Sequence, residues 1–132
     1  MSLFVDASAL VAVIAAEPEQ ESFSTILRDE PDLLWSAMVC WETISSLRSS
    51  YGWPVTDARG EVELVVARLP FRLISIGEAE RMTALDAYER YGKRSGHRAR
   101  LNMGDCFAYA CAKTNGARLL YKGDDFGRTD LA

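Results

Sequence analysis

The chain has 132 residues, of which 48 % are hydrophobic and 26 % charged. That suits a single soluble domain over residues 1–132, with a core large enough to need no disulfide or metal staple. The formal net charge of −4 argues against a protein that holds nucleic acid by overall basicity, because phosphate contacts need Lys and Arg.

In chain order, Leu3–Phe4–Val5 is a short apolar run ending at Asp6 and reads as a buried strand. Ala7 to Ala16 is almost wholly apolar and helical. Glu17-Pro18-Glu19 breaks it, and a helix from about Pro18 to Arg28 follows, with Pro near its first turn. After a turn at 29–32, Leu33 to Ser36 is a second strand. Val39 to Tyr51 reads as a helix stopped by Gly52 and Pro54. Thr56 to Leu69 is another, with Val62, Val65, Val66 and Leu69 at helical spacing. Arg72 to Ile76 is a third strand, and Gly77 to Tyr91 a helix. Gly92 to Gly96 is a polar loop. Asn102 to Ala112 is a helix stopped by Gly116, and Arg118 to Tyr121 a fourth strand. Strands separated by helices predict an α/β domain with a mostly parallel sheet. Sites in such sheets gather where strands end at their carboxyl edge.

Cys40, Cys106 and Cys111 have no CxxC spacing and sit among apolar neighbours, which reads as reduced thiols in a cytoplasmic protein. Asp6 interrupts the first apolar run and no basic stretch precedes it, so neither a signal peptide nor a membrane span is expected. There is no GxxxxGK[ST] phosphate loop, no GxGxxG and no GxSxG elbow; His97 is the one histidine, and reads as part of a basic loop or as plain solvated loop. Trp35, Trp41 and Trp53 read as core or interface rather than as platforms for bases.

Acids stand where a bland core would not want them: Asp6 after the first strand, Glu42 on a half-apolar helix, Asp105 at the entry of an Ala-rich helix, and Asp124 and Asp125 after the last strand. Singly, each has a plain structural explanation: helix caps for Asp6 and Asp105, a solvated face for Glu42, turn residues for the last pair. Jointly, carboxylates at strand ends and helix starts can converge on one sheet edge. A divalent cation then offsets their repulsion, and an oxygen-only shell suits Mg²⁺ or Mn²⁺. Ser8, two residues after Asp6, reads equally as a carboxylate-supporting hydroxyl or a helix-start hydroxyl. Between Arg90 and Arg100 the chain carries Lys93, Arg94, Arg98 and Arg100 beside His97, without an acid, so the average charge conceals a basic patch.

These residues resemble a known family. Val5-Asp6-Ala7-Ser8-Ala9-Leu10 is similar to the opening of PIN-domain toxins of the VapC type, and Glu42 lies where their helix glutamate falls. Asn102 to Ala110 resembles their third-acid motif, Leu119 to Phe126 their last acidic turn, and Tyr91-Gly92-Lys93 with Arg98 the basic loop of one subgroup. The resemblance implies a three-layer α/β/α fold, Mg²⁺- or Mn²⁺-dependent endoribonuclease activity, inhibition by a VapB-like antitoxin, and a homodimer. Asp6 and Asp105 would hold the metal, with Glu42 and an aspartate of the last turn completing the site. Lys122-Gly123-Asp124-Asp125 departs from the Thr-x-Asp or Thr-Arg-Asn of many relatives, so Asp124 and Asp125 both stand as candidates. Cleavage would proceed by metal-activated water, with Lys93, Arg94, Arg98 and Arg100 steering RNA toward an acidic mouth. The competing expectations are a catalytically silent binding module and a metal-dependent DNA nuclease or phosphatase. Phe23 and Ile26 are candidates for an antitoxin groove, with core packing as the plainer reading of each.

Overall fold

The computed structural model describes residues 1–131. Strands β1 (Leu3–Val5), β2 (Leu33–Trp35), β3 (Phe71–Leu73) and β4 (Arg118–Leu120) alternate with helices α1 (Ala7–Ile14), α2 (Gln20–Asp29), α3 (Ala37–Tyr51), α4 (Val55–Arg68), α5 (Glu78–Tyr91) and α6 (Met103–Thr114). The sheet order is β3-β2-β1-β4, and every pairing is parallel. Right-handed crossovers place α1 to α4 on one face and α5 with α6 on the other, giving the three-layer α/β/α arrangement. Helix contacts follow this grouping: α1 packs on α2 and α3, α3 on α4, and α5 on α6. Between the two groups, α3 contacts α6.

The strand order reverses between β1 and β4: β2 and β3 are added on one side of β1, β4 on the other. This is the switch point beside which open α/β sheets leave a crevice at the strand carboxyl ends. Phe4 and Val5 of β1 are fully buried, as expected of a strand covered on both faces. Most of the core is one cluster around the sheet; Val11, Leu47 and Ala58 form a smaller one, against which Trp53 packs.

Several boundaries differ from the sequence reading. Helix α1 stops at Ile14, Ala15 closes it onto the Val11 carbonyl, and Ala16 takes a φ of 55°. Pro18 stands in the turn ahead of α2, which begins at Gln20. Ser36 is not the end of a strand: its buried hydroxyl accepts from the Val39 N–H and caps α3, which starts at Ala37. Strand β3 runs over Phe71–Leu73 and lies at the sheet edge, with Leu73 61 % exposed. A 3₁₀ turn at Phe126–Arg128 has no counterpart in the sequence reading, because three residues carry no periodicity. Trp35 packs edge-on against Phe71, whereas Trp41 is 72 % exposed and so is not a core residue. Phe23 packs on the core and Ile26 is exposed. The three cysteines are free, Cys106 and Cys111 buried. Among the described residues, no helix is long and apolar enough to cross a membrane.

Candidate active site

Asp6 leaves β1 at the switch point. Its N–H donates to the Leu120 carbonyl at 3.0 Å, which ties the ends of β1 and β4 together. Its buried carboxylate caps α1, accepting from the Ser8 N–H at 3.1 Å and the Ser8 hydroxyl at 2.5 Å. The Ser8 hydroxyl also accepts from the Lys122 N–H at 2.9 Å. Ser8 therefore locks the Asp6 carboxylate and anchors the first residue after β4. Burial raises the Asp6 pKa; the Ser8 hydrogen bonds oppose this, and the charge of Asp125 adds to it.

Asp105 is the third residue of α6. Its N–H donates to the Asn102 side chain at 2.9 Å, and its carboxylate accepts from the Asn102 N–H at 3.1 Å. This reciprocal capping box fixes the carboxylate at the helix mouth. Burial, then the charges of Asp6 and Asp125, raise its pKa to about 6, against the backbone hydrogen bond and the nearby Lys93 ammonium.

Glu42 comes from the second turn of α3. Burial and the charges of Asp6 and Asp105 raise its pKa to about 7. It reaches the cluster across the α3–α6 contact, directly over Gly104. A Cβ at position 104 would overlap the Glu42 carboxylate outright. The placement of the Glu42 carboxylate here therefore depends on glycine at this position.

Of the two aspartates in the last turn, Asp125 is the one whose charge bears on both Asp6 and Asp105. Gly123, at a φ of 98°, makes this turn. Just before it, the Lys122 ammonium pairs with Glu17 at 3.0 Å and Glu19 at 3.2 Å, holding the turn to the break between α1 and α2.

Asp6, Glu42, Asp105 and Asp125 thus come together from β1, α3, α6 and the turn after β4. Among the described residues, none of them forms a salt bridge. Nor do any three His, Cys, Asp or Glu side chains there stand in a ready-made metal shell. The four side chains offer oxygen donors only. Such a set fits Mg²⁺, which keeps several of its waters and takes only one or two carboxylates directly, better than Zn²⁺, which needs a closed N/S shell.

Residues 3–131 match the sequence profile of the PIN domain. The chain belongs to the PIN-domain family. It is 38 % identical to a VapC ribonuclease of Rhizobium meliloti (strain 1021), over 97 % of this chain and 98 % of that one. It is also 38 % identical to ribonuclease VapC of Mycolicibacterium smegmatis, over 98 % of each. Among solved structures, VapC20 of Mycobacterium tuberculosis, a sarcin-ricin loop cleaving toxin, superposes with a TM-score of 0.73 at 19 % identity, over 95 % of this chain and 92 % of that one. VapBC2 of Rickettsia felis, bound to a promoter DNA fragment, superposes with a TM-score of 0.74 at 13 % identity, over 99 % and 95 %.

In this PIN domain the basic segment is not a free loop. Tyr91 and Leu101 are buried, Gly92 bridges to Leu101, and the Ser95 hydroxyl donates to the Gly92 carbonyl. His97 is half-buried rather than plainly solvated. Its ring stands edge-on to Tyr91, and Nδ1 accepts from the Ala99 N–H. Lys93, Arg94, Arg98 and Arg100 are exposed on this pinned frame, and among the described residues their side chains have no ion-pair partner. The charge of Lys93 bears on Asp105. The sequence reading passed over Gly104 and Lys122. A glycine in the first turn of a helix was the one visible sign, since glycine there costs up to about 1 kcal/mol without a packing reason.

Proposed function

We propose that this PIN domain is a Mg²⁺- or Mn²⁺-dependent endoribonuclease and the toxin half of a toxin–antitoxin pair. The observation that carries the reading is the convergence of Asp6, Glu42 and Asp105, with Asp125, at the switch point of a chain 38 % identical to named VapC ribonucleases. Asp6 and Asp105 would hold the cation, and Glu42 with Asp124 or Asp125 would complete the site, partly through water. The chemistry such a cation would supply is neutralisation of the cluster, activation of water and stabilisation of the departing oxygen. The protein's own part is positional. Ser8 fixes the Asp6 carboxylate, the capping box fixes Asp105, and Gly104 admits Glu42. Lys93 and the arginines of the 93–100 segment offset the repulsion between RNA phosphates and an acidic mouth.

A VapB-like antitoxin is the partner this reading requires, and a homodimer the expected assembly. The toxin–antitoxin complexes that share the fold support the first. Pull-down of a small protein encoded beside this chain tests the first, and light scattering the second.

The deciding experiment is cleavage of total cellular RNA by the purified chain with Mg²⁺ or Mn²⁺, then with EDTA, beside an Asp105→Asn variant. Asn retains an acceptor for the Asn102 N–H, so the cap survives while the charge is lost. Discrete, cation-dependent products absent from the variant are expected. Equal cleavage by both proteins would remove this site from the reaction. Cleavage of DNA or of phosphomonoesters instead would redirect the assignment to a different phosphate hydrolase. No cleavage by antitoxin-free, folded protein would favour a binding module.

A further inference from the structure

A further cleft lies between the basic segment and the last 3₁₀ turn. Gly96, His97, Arg98, Gly127 and Arg128 line a space of about 460 Å³. Two of these five residues are glycines, so much of the wall is bare backbone. Gly96 has a φ of 83° and no neighbour within 4 Å of where a Cβ would stand. The Arg128 guanidinium donates to the Arg98 carbonyl at 3.2 Å, which joins the turn to the basic segment and fixes one side of the cleft. The other side is held by His97, through its contact with Tyr91 and the hydrogen bond from Ala99. Two arginines thus line one small cleft, and among the described residues neither meets a carboxylate within ion-pair distance.

Paired, unneutralised arginines beside open backbone suit a phosphate better than a carboxylate-poor surface needs for solubility alone. Arginine offers a planar fork of donors, and glycine lets a bulky anion approach the main chain. The location matters as much. Asp125 opens the 3₁₀ turn and Arg128 closes it. Three residues of 3₁₀ helix advance about 6 Å. Arg128 therefore lies one short turn along the chain from Asp125, the acid whose charge bears on Asp6 and Asp105. Lys93, at the other end of the basic segment, bears on Asp105 through its charge. The segment thus runs from a cation that influences the acidic cluster to the lining of this cleft.

We infer that the cleft formed by Gly96, His97, Arg98, Gly127 and Arg128 is a binding subsite for a backbone phosphate of single-stranded RNA, flanking the phosphate that is cut. This rests on the ribonuclease reading of the acidic cluster and adds a subsite to it. Arg128 becomes a substrate-binding residue that the basic segment alone does not include. The subsite takes the sugar-phosphate backbone, so it contributes affinity and register rather than base preference.

The test is binding of a fluorescent single-stranded oligoribonucleotide in EDTA, read by anisotropy across a salt series. Wild type is compared with Arg98→Gln/Arg128→Gln, with Arg98→Lys/Arg128→Lys, and with Arg68→Gln as a matched loss of an exposed arginine on α4. Losing one phosphate contact lowers the slope of log affinity against log salt by about 0.7 on a single strand. That drop, with weaker binding at low salt, is expected for the glutamine pair. The lysine pair should keep most of the slope, because it keeps the charge. Wild-type slope in the glutamine pair, or an equal drop in Arg68→Gln, would overturn the subsite. Circular dichroism melting shows whether each variant is folded, and an unfolded glutamine pair hands the decision to single Arg128→Gln. The two readings fail separately. Arginine-dependent binding by a protein that cuts nothing with Mg²⁺ would sink the nuclease and keep the subsite. Cation-dependent cleavage with arginine-independent binding would do the reverse.

Discussion

Gly104 is the residue on which the site's geometry turns. Its missing Cβ leaves the space that the Glu42 carboxylate occupies. Gly104→Ala puts a methyl group there, and the cheaper response is for the flexible Glu42 side chain to swing away rather than for the two helices to part. Alanine is also the better helix former by up to about 1 kcal/mol. The melting temperature of Gly104→Ala should therefore stay close to wild type while cleavage falls at least about tenfold, since a displacement of about 1 Å at a catalytic group can cost a hundredfold. Measuring melting and cleavage on the same preparation separates the two effects; a large loss of stability would mean that the helices moved instead. Ser8→Ala should act in the other order. It removes the hydroxyl between the Asp6 carboxylate and the Lys122 N–H, so both stability and cleavage should fall, the former by about 1 kcal/mol. Asp6, Glu42 and Asp105 were legible in the sequence because an acid inside an apolar pattern is conspicuous. Asp125 was legible only as one of a pair, because both aspartates occupy one turn and only coordinates show which charge bears on Asp6. Gly104 was not legible, because its role is to leave room for a side chain more than sixty positions away.

At the scale of elements, the capping box of α6 links stability to the site. Asn102 accepts from the Asp105 N–H, and the Asp105 carboxylate accepts in return from the Asn102 N–H. Asn102→Ala removes the side-chain acceptor and leaves the backbone donor in place. The expected cost is about 1 kcal/mol, or a melting point lower by roughly 4 °C in a domain of this size. The residual Asn102 N–H still orients the Asp105 carboxylate, so cleavage below the melting range should survive. A melt unchanged from wild type would show that water replaces the cap at no cost. The order and type of the main elements were readable because apolar runs of strand length alternate with helical periodicity, and the parallel sheet follows from that alternation. What was lost were the ends. The sequence places Pro18 inside α2, where the structure leaves it in the turn, and extends the third strand to Ile76, although an edge strand with exposed Leu73 ends sooner. Caps and edges depend on which neighbour is present, and a local pattern does not carry that information. The frame of the basic segment escaped for the same reason, since the burial of Tyr91 and Leu101 shows only in three dimensions.

For the molecule as a whole, the acidic cluster sets activity against stability. Burial and mutual repulsion raise Asp6, bring Asp105 to about 6 and bring Glu42 to about 7. The folded chain therefore holds more protons at these groups than the unfolded chain does, between the ordinary carboxylate range and about pH 7. Stability rises with pH only where the unfolded state binds more protons, so across this window the cluster makes stability fall as pH rises. Glu17, Asp32, Glu78, Glu80 and Asp130 are shifted downward and work in the opposite sense. Their stabilisation is lost only as pH falls below the ordinary carboxylate range, so the two windows do not overlap. In EDTA the melting temperature should accordingly decline from pH 5 to pH 8. Glu42→Gln, which keeps the shape and removes the charge, should raise it at pH 8, leave it nearly unchanged at pH 5, and abolish or severely reduce cleavage. Added Mg²⁺ should act on wild type in the same direction as that substitution, because a ligand of the folded state alone stabilises it, and it competes with protons for the same oxygens. The rise with Mg²⁺ should be larger at pH 8 than at pH 5 and smaller in Glu42→Gln. Thermal melting at the two pH values, with and without Mg²⁺, reads all of these terms. A wild-type melting point that is flat with pH and insensitive to Mg²⁺ would mean that the carboxylates neither repel nor share a cation, and the proposed chemistry would lose its physical basis.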